Sequence, residues 1–326
     1  MGLMLSCAFA TDLDTHEHVR IAESLGYQRA WLYDSPALYP DVWVQLCRAA
    51  ERTERIGLGP GVLVPSNRHP LITASAIATL VDIAGAERVV IGVGSGFTAR
   101  MALGQRALPW AGVRRYVLAV RALLRGESVD WDGAQIEMLH TARCAPPRPI
   151  EVPFVIAAAG PKGIAAARDI GDGVFGAPMP IGDFDWSVVL AFGTVLRSDE
   201  APGSDRSVAA AGHAAATMFH FGTEHGLLEQ LMPGDLAGQW TAAYQAVPED
   251  RRHLEMHRGH LVEVNEVDAP FVSGSLLAGT GLALDREGWR AKLAELEQGG
   301  ATEVAYQPAG PDIPGELEAF ASVFGA

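Results

Sequence analysis

Residues Arg88–Gly96 read RVVIGVGSG, a continuous apolar run that passes straight into a glycine cluster. A second unit of the same form follows at Pro153–Ala158 (PFVIAA), leading into Ala159, Gly160, Pro161 and Lys162. Unbroken apolar runs mark strands buried on both faces, as in a parallel sheet covered by helices. Each run also ends in a corner with almost no side chain. Glycine removes the Cβ barrier to close approach, and a helix opening just after such a corner points free N–H groups at an anion. The two corners read as two places where backbone nears one bound molecule.

Strand and helix patterns alternate along the whole chain. Leu3–Phe9 is an apolar run, and Asp14 with Glu17 has the form of a capping box before Val19, Ala22 and Leu25 at helical spacing, stopped by Gly26. Arg29–Tyr33 is a second strand ending at Asp34, followed by a helix over Asp41–Glu54. Ile56–Val64 is the third strand, Ile72–Ala84 a helix closed by Gly85, and Arg88–Gly94 the fourth strand. After an irregular stretch holding Pro109 and Trp110 come a helix at Arg115–Leu124, an extended excursion over Trp131–Leu139 and a proline-rich linker at Ala145–Pro149. Phe154–Ala158 is the fifth strand and leads into an Ala-rich helix; Gly173–Gly176 is the sixth. Ser207–Phe221 is taken as the seventh, though its Ala-rich middle also admits a partly helical reading, and Thr302–Gln307 is the eighth.

Eight strand–helix repeats predict an α/β fold closed into a (β/α)8 TIM barrel rather than an open sheet. A single domain over 1–326 is expected. Within it, the stretch from about 222 to 279, with Trp240 and Tyr244 and no clear strand, is expected to be an insertion covering the C-terminal mouth. A hydrophobic content of 48% supports a large core and excludes disorder. The net charge of −14 excludes nucleic acid as a partner, since phosphate binding needs clustered Lys and Arg. Cys7, Cys47 and Cys144 have no paired spacing, which argues against a disulfide framework or a cysteine-held zinc. No run is long enough for a membrane span, and the first residues read as a strand rather than a signal peptide, so a cytoplasmic protein is expected.

The run from Gly57 to Thr98 resembles the luciferase-like monooxygenase superfamily, in particular its deazaflavin-dependent oxidoreductases. Three further pieces are similar in the same order: AESLGYQRAWLYDS at Ala22–Ser35, PFVIAAAGPKGIAAARDIGDGV at Pro153–Val174, and GATEVAYQPAGPD near the C-terminus. The resemblance implies a TIM barrel with a flavin-type cofactor at its C-terminal mouth, coenzyme F420 in the deazaflavin branch and FMN in other members. It also implies a homodimer through the second and third barrel helices.

On that resemblance, Gly61 and Val62 form a non-prolyl cis bulge behind the cofactor ring, with Val64 beside it. Asp34 is an acceptor for the cofactor or a catalytic carboxylate, unless it is an ordinary cap or loop residue. Gly94, Ser95, Gly96 and Phe97 border the cofactor, and Ala158, Ala159, Gly160 and Pro161 take its phosphate, with Lys162 adding charge. Ser35, Tyr39, Phe97 and Trp110 are expected to line the substrate pocket. Sugar-phosphate dehydrogenases of the family carry His where Ser35 stands and Glu where Phe97 stands. An apolar ring cannot donate a proton, so a flat or greasy substrate fits better than a sugar phosphate. His220, with Glu224 and His225 nearby, is the candidate proton donor. His253, His257 and His260 are read as a solvated helix face with no metal, because Arg251, Arg252 and Arg258 flank them. The expected activity is hydride transfer between F420 and a small organic substrate. The alternatives are an FMN-dependent monooxygenase and a non-catalytic flavin- or deazaflavin-binding protein.

Overall fold

The structure of the protein, a computed structural model, describes residues 2–232 and 234–324. Eight parallel strands form its main sheet: β1 (Met4–Phe9), β2 (Arg29–Leu32), β3 (Gly57–Pro60), β4 (Ile91–Gly94), β5 (Phe154–Ala157), β6 (Gly173–Gly176), β7 (Ser187–Phe192) and β8 (Glu303–Gln307). Their order is β3-β2-β1-β8-β7-β6-β5-β4, and the two edges meet through parallel bridges at Leu58–Val89 and Leu63–Val93. The sheet is therefore closed into the expected TIM barrel. Glycine makes that seam possible. A Cβ on Gly59 would lie 1.8 Å from the Val90 carbonyl oxygen, and one on Gly92 would lie 2.5 Å from that of Pro60.

Thirteen α-helices are present among the described residues: α1 (Thr15–Ser24), α2 (Val42–Ala50), α3 (Pro70–Ala84), α4 (Phe97–Met101), α5 (Trp110–Arg125), α6 (Gly160–Ile170), α7 (Asp205–His225), α8 (Leu228–Leu231), α9 (Leu236–Gln245), α10 (Arg252–Met256), α11 (Gly274–Gly279), α12 (Arg286–Gln298) and α13 (Ile313–Phe324). One apolar layer lies between strands and outer helices, where Leu32, Leu46, Ile77, Val120 and Phe320 are buried. A second fills the barrel, with Ala8, Trp31, Val90, Val155, Phe175, Val188 and Ala305. At the N-terminal end of the barrel the buried Glu303 accepts from Arg29 Nη1, from Trp31 Nε1 at 2.8 Å and from Trp186 Nε1 at 2.8 Å. Arg29 also lies over the Trp186 ring at 4.6 Å. A buried carboxylate is tolerated when its lone pairs are met in this way.

The seventh strand is not Ser207–Phe221. That segment lies inside α7, capped by Ser204 Oγ on the Ser207 N–H and stopped by Gly226 at φ +67°. Alanine is the strongest helix former, and a run of it with a serine cap settles the local choice. The true β7, SVVLAF, follows β6 with no intervening helix, which broke the expected alternation. The excursion between β7 and β8 is bracketed by Thr194–Val195 pairing in parallel with Ala283–Leu284. It thus leaves the barrel well before residue 222.

Smaller differences have local causes. Asp14 makes no side-chain cap; instead Asp12 accepts from Thr15 Oγ1 and the Asp14 N–H, and Glu17 pairs with Arg20 and Arg52. The third strand ends at Pro60 because the chain bulges there, and α5 starts at Trp110, directly after Pro109. Among the described residues no helix is long and apolar enough to cross a membrane.

Candidate active site

Strands β2 to β5 deliver their C-terminal ends to one corner of the barrel mouth. After β3 the Gly61–Val62 peptide is cis. The Gly61 N–H donates to Leu32 O at 2.7 Å, and the Leu63 N–H donates to Gly92 O at 2.8 Å, so the bulge is held between β2 and β4. A Cβ on Gly94 would lie 2.7 Å from Val62 Cγ2 and 3.4 Å from Ala157 Cβ. Three strand ends thus meet where β4 offers no side chain. Gly96, at φ +82°, caps α4, and a Cβ there would strike Val64 Cγ1 at 2.5 Å. Ser95, between them, gives its carbonyl to the Leu108 N–H.

The β5 corner is smaller still. Ala158 is buried, Ala159 and Gly160 are exposed, and a Cβ on Gly160 would meet nothing within 4 Å. Ala159 is the N-cap of α6 and supplies no side-chain cap; Pro161 lies in the first turn, and Lys162 is exposed beside it. The first N–H groups of this 11-residue helix have no capping side chain, an arrangement that favours an anion.

Asp34 is buried and already engaged. Its Oδ1 and Oδ2 accept from Arg68 Nη1 at 2.7 and 2.8 Å, and Oδ2 accepts more weakly from the Val64 N–H at 3.4 Å. Arg68 Nη2 continues to Asp41. This carboxylate braces the strand that carries the bulge, both of its oxygens accepting from Arg68. Arg68, in the short stretch after the third strand, is a site residue that no local sequence pattern marks.

The four expected pocket residues separate. Ser35 is buried in the turn after β2, its carbonyl accepting from the Leu38 and Tyr39 N–H groups. Tyr39 is buried, and its hydroxyl donates to His260 O at 2.5 Å; burial pushes that hydroxyl's pKa up. Phe97 packs against Phe221 and His225 of α7, with ring centroids 5.9 and 5.8 Å away. Trp110 faces α6: a Cβ on Gly163 would lie 2.7 Å from its Cζ2, so its ring fills a helix–helix contact instead of a wall beside Tyr39.

The excursion packs onto the barrel through the segment that holds His257 and His260, the histidines expected on a solvated face. Gln307, at the end of β8, donates from Nε2 to Leu261 O at 2.7 Å and accepts from Tyr33 Oη at 3.3 Å. Leu261 packs within the barrel cluster. His257 and His260 are buried, contrary to the solvated face expected, and His253 is half-buried. Burial lowers the pKa of His257 to about 4 and holds His260 below its ordinary value, so both rings are neutral at pH 7. His220 is buried too, with Nε2 2.8 Å from Asp268 Oδ2, and is not an exposed acid over the mouth. Glu224 and His225 are exposed. A cleft of about 490 Å3 lies between the β2–α2 turn and this segment, walled by Leu38, Tyr39, Leu254, His257, His260 and Val262 among others.

The family model described as luciferase-like monooxygenase matches residues 13–303. The 5,10-methylenetetrahydromethanopterin reductase of Archaeoglobus fulgidus is 33% identical over 173 residues, 51% of this chain and 50% of that protein. The F420-dependent glucose-6-phosphate dehydrogenase of Beutenbergia cavernae is 38% identical over 196 residues, 53% of this chain and 55% of that protein. The chain spans about half the length of the curated relatives it matches. Among solved structures, the F420-dependent tetrahydromethanopterin reductase of Methanopyrus kandleri aligns with 98% of this chain and 97% of its own at a TM-score of 0.65 and 21% identity, a likeness of fold.

Proposed function

Because the chain belongs to the luciferase-like monooxygenase family, we propose that it is an oxidoreductase that binds coenzyme F420 at the barrel mouth and transfers a hydride between it and a small organic molecule. The observation that carries this reading is the side-chain-poor wall running from Gly61 and Val62 past Gly94 to Ala157–Gly160, ending at the uncapped start of α6. Relatives that are F420-dependent by name support it.

The residues present fit such a group. Gly61 and Val62, partly exposed, offer a flat backbone surface behind a tricyclic ring. The free N–H groups of α6, with Lys162 nearby, suit the phosphate of the tail. When bound, the coenzyme supplies a two-electron carbon centre that exchanges hydride and reacts poorly with oxygen.

The protein's part is to bind, orient and exclude water. Asp34 and Arg68 hold the strand bearing Val64 and the bulge in register. The cleft beside Tyr39 is the substrate chamber, and its walls mix apolar Leu38, Leu254 and Val262 with polar Arg251, Arg258 and Glu263, which suits an organic molecule carrying polar groups. The 257–261 segment acts as its cover. Val44 and Ile72, exposed on α2 and α3, are consistent with pairing of two copies across those helices.

Equilibrium dialysis against F420 and against FMN tests the assignment. The expected result is micromolar binding of F420 with FMN at least tenfold weaker, and oxidation of reduced F420 on addition of an enone, ketone or imine. Preference for FMN, or a reduced complex that consumes oxygen as an oxygenase does, would overturn it.

A further inference from the structure

We propose that His220, His257 and His260 bind a divalent metal ion of the zinc class inside the excursion between β7 and β8. Their ligand nitrogens lie within 4.8 Å of one another, and all three residues are buried. Four of their ring nitrogens, His220 Nδ1, His257 Nδ1 and Nε2, and His260 Nδ1, have no hydrogen-bond partner. Leaving a buried polar atom unpaired costs about 1–3 kcal/mol, so several within one buried group ask for a common partner. A tetrahedral ion at about 2.0–2.1 Å from each nitrogen would set those nitrogens about 3.4 Å apart, so binding draws the rings inward from their present spacing.

The three rings sit in an aromatic cluster with Trp240 and Tyr244, and a buried carboxylate stands behind them. Asp268, fully buried, accepts from His220 Nε2 at 2.8 Å, from Trp240 Nε1 at 2.7 Å and from Asn265 Nδ2 at 2.8 Å. That bond puts the His220 proton on Nε2 and leaves Nδ1, which has no partner, as the nitrogen free to ligate, the carboxylate–histidine arrangement common behind metal ligands. Gly259 at φ +67° and Leu261 at φ +59° fold the chain tightly around His260. The flanking arginines do not oppose a cation at this point. Arg258 pairs with Glu255 through two bonds, and Arg252 is spent on the carbonyls of Tyr244, Gln245 and Val247.

Three protein nitrogens leave one position for water or another small ligand, and His257 and His260 also wall the 490 Å3 cleft. The ion would tie α7 to the segment whose carbonyls meet Tyr39 and Gln307, fastening the cover onto the barrel.

The test uses the whole chain, stripped with a chelator and dialysed, and involves no coenzyme. Zn2+ alone is titrated by calorimetry and Co2+ alone by visible absorption, with melting followed in parallel. The expected result is one ion per chain, the intense bands of tetrahedral cobalt and a higher Tm. His257→Gln and His220→Gln should weaken binding at least 100-fold, and Asp268→Asn by about 10–100-fold. A wild-type cobalt spectrum like that of the hydrated ion, or equal Zn2+ binding by folded His257→Gln, would overturn the proposal. The wild-type spectrum decides even where a substituted chain does not fold.

Discussion

The Tyr39 hydroxyl donates a 2.5 Å hydrogen bond to the carbonyl of His260, linking the turn after β2 to a residue 221 positions away. It is a buried contact between barrel and cover. Tyr39→Phe removes the donor and leaves that carbonyl unpaired, at a cost of about 1–3 kcal/mol. Urea denaturation should register the loss, and amide exchange should quicken around 257–262 before it does so in the barrel strands.

Arg68 and Asp34 make the next prediction. Both are largely buried, so truncating the cation strands an uncompensated carboxylate. Arg68→Met should cost about 3–5 kcal/mol, whereas the double variant Arg68→Met with Asp34→Asn should recover part of that loss. Equal destabilisation in single and double variants would show that the pair is not coupled.

Stability should fall in mild acid through His213. This ring is fully buried in α7, with Nε2 3.1 Å from Ala210 O, and burial depresses its pKa from 6.5 to about 4. In that window the unfolded chain binds a proton that the folded chain refuses. The contribution is intact above pH 6.5 and is lost as pH falls toward 4, at about 1.4 kcal/mol per pH unit. Denaturation midpoints of wild type and His213→Gln, compared at pH 7, 5.5 and 4.5, should converge toward acid. A gap independent of pH would contradict the mechanism.

Ala159→Asp separates fold from function at the β5 corner. Ala159 has extended backbone at the N-cap of α6, where aspartate is favoured, so the substitution should stabilise the protein by about 1 kcal/mol. The same carboxylate occupies the N–H groups proposed for the coenzyme phosphate and repels it. F420 affinity should therefore fall at least tenfold while Tm rises. A rise in Tm with unchanged affinity would move the phosphate elsewhere.

Much of the barrel is legible in the chain because its strands are short apolar runs between turn residues. Seven of the eight expected strands lie where the runs are. The seventh was missed because β6 and β7 are joined without a helix, and an alanine-rich stretch downstream offered a false substitute. The glycine corner after the fourth strand is equally legible: Gly94 and Gly96 stand where a side chain would collide with Val62 and Val64. What one-dimensional reading could not reach is pairing across distance. Nothing near Asp34 announces that Arg68 folds back onto it. Nothing near His257 and His260 announces that His220, 37 positions before the first of them, turns the same way. The flanking arginines suggested solvent, and their commitment to Glu255 and to carbonyls is visible only in three dimensions.

The Glu303 cluster has a consequence for how such a chain can change. A single acid at the foot of β8 clasps side chains from β2 and from the turn entering β7, so its anchoring lies at the pole opposite the proposed chemistry. Away from the Tyr39 and Arg68 contacts, exposed positions of the cover and cleft can then be varied without unfastening that foundation, and new specificity is best grafted there.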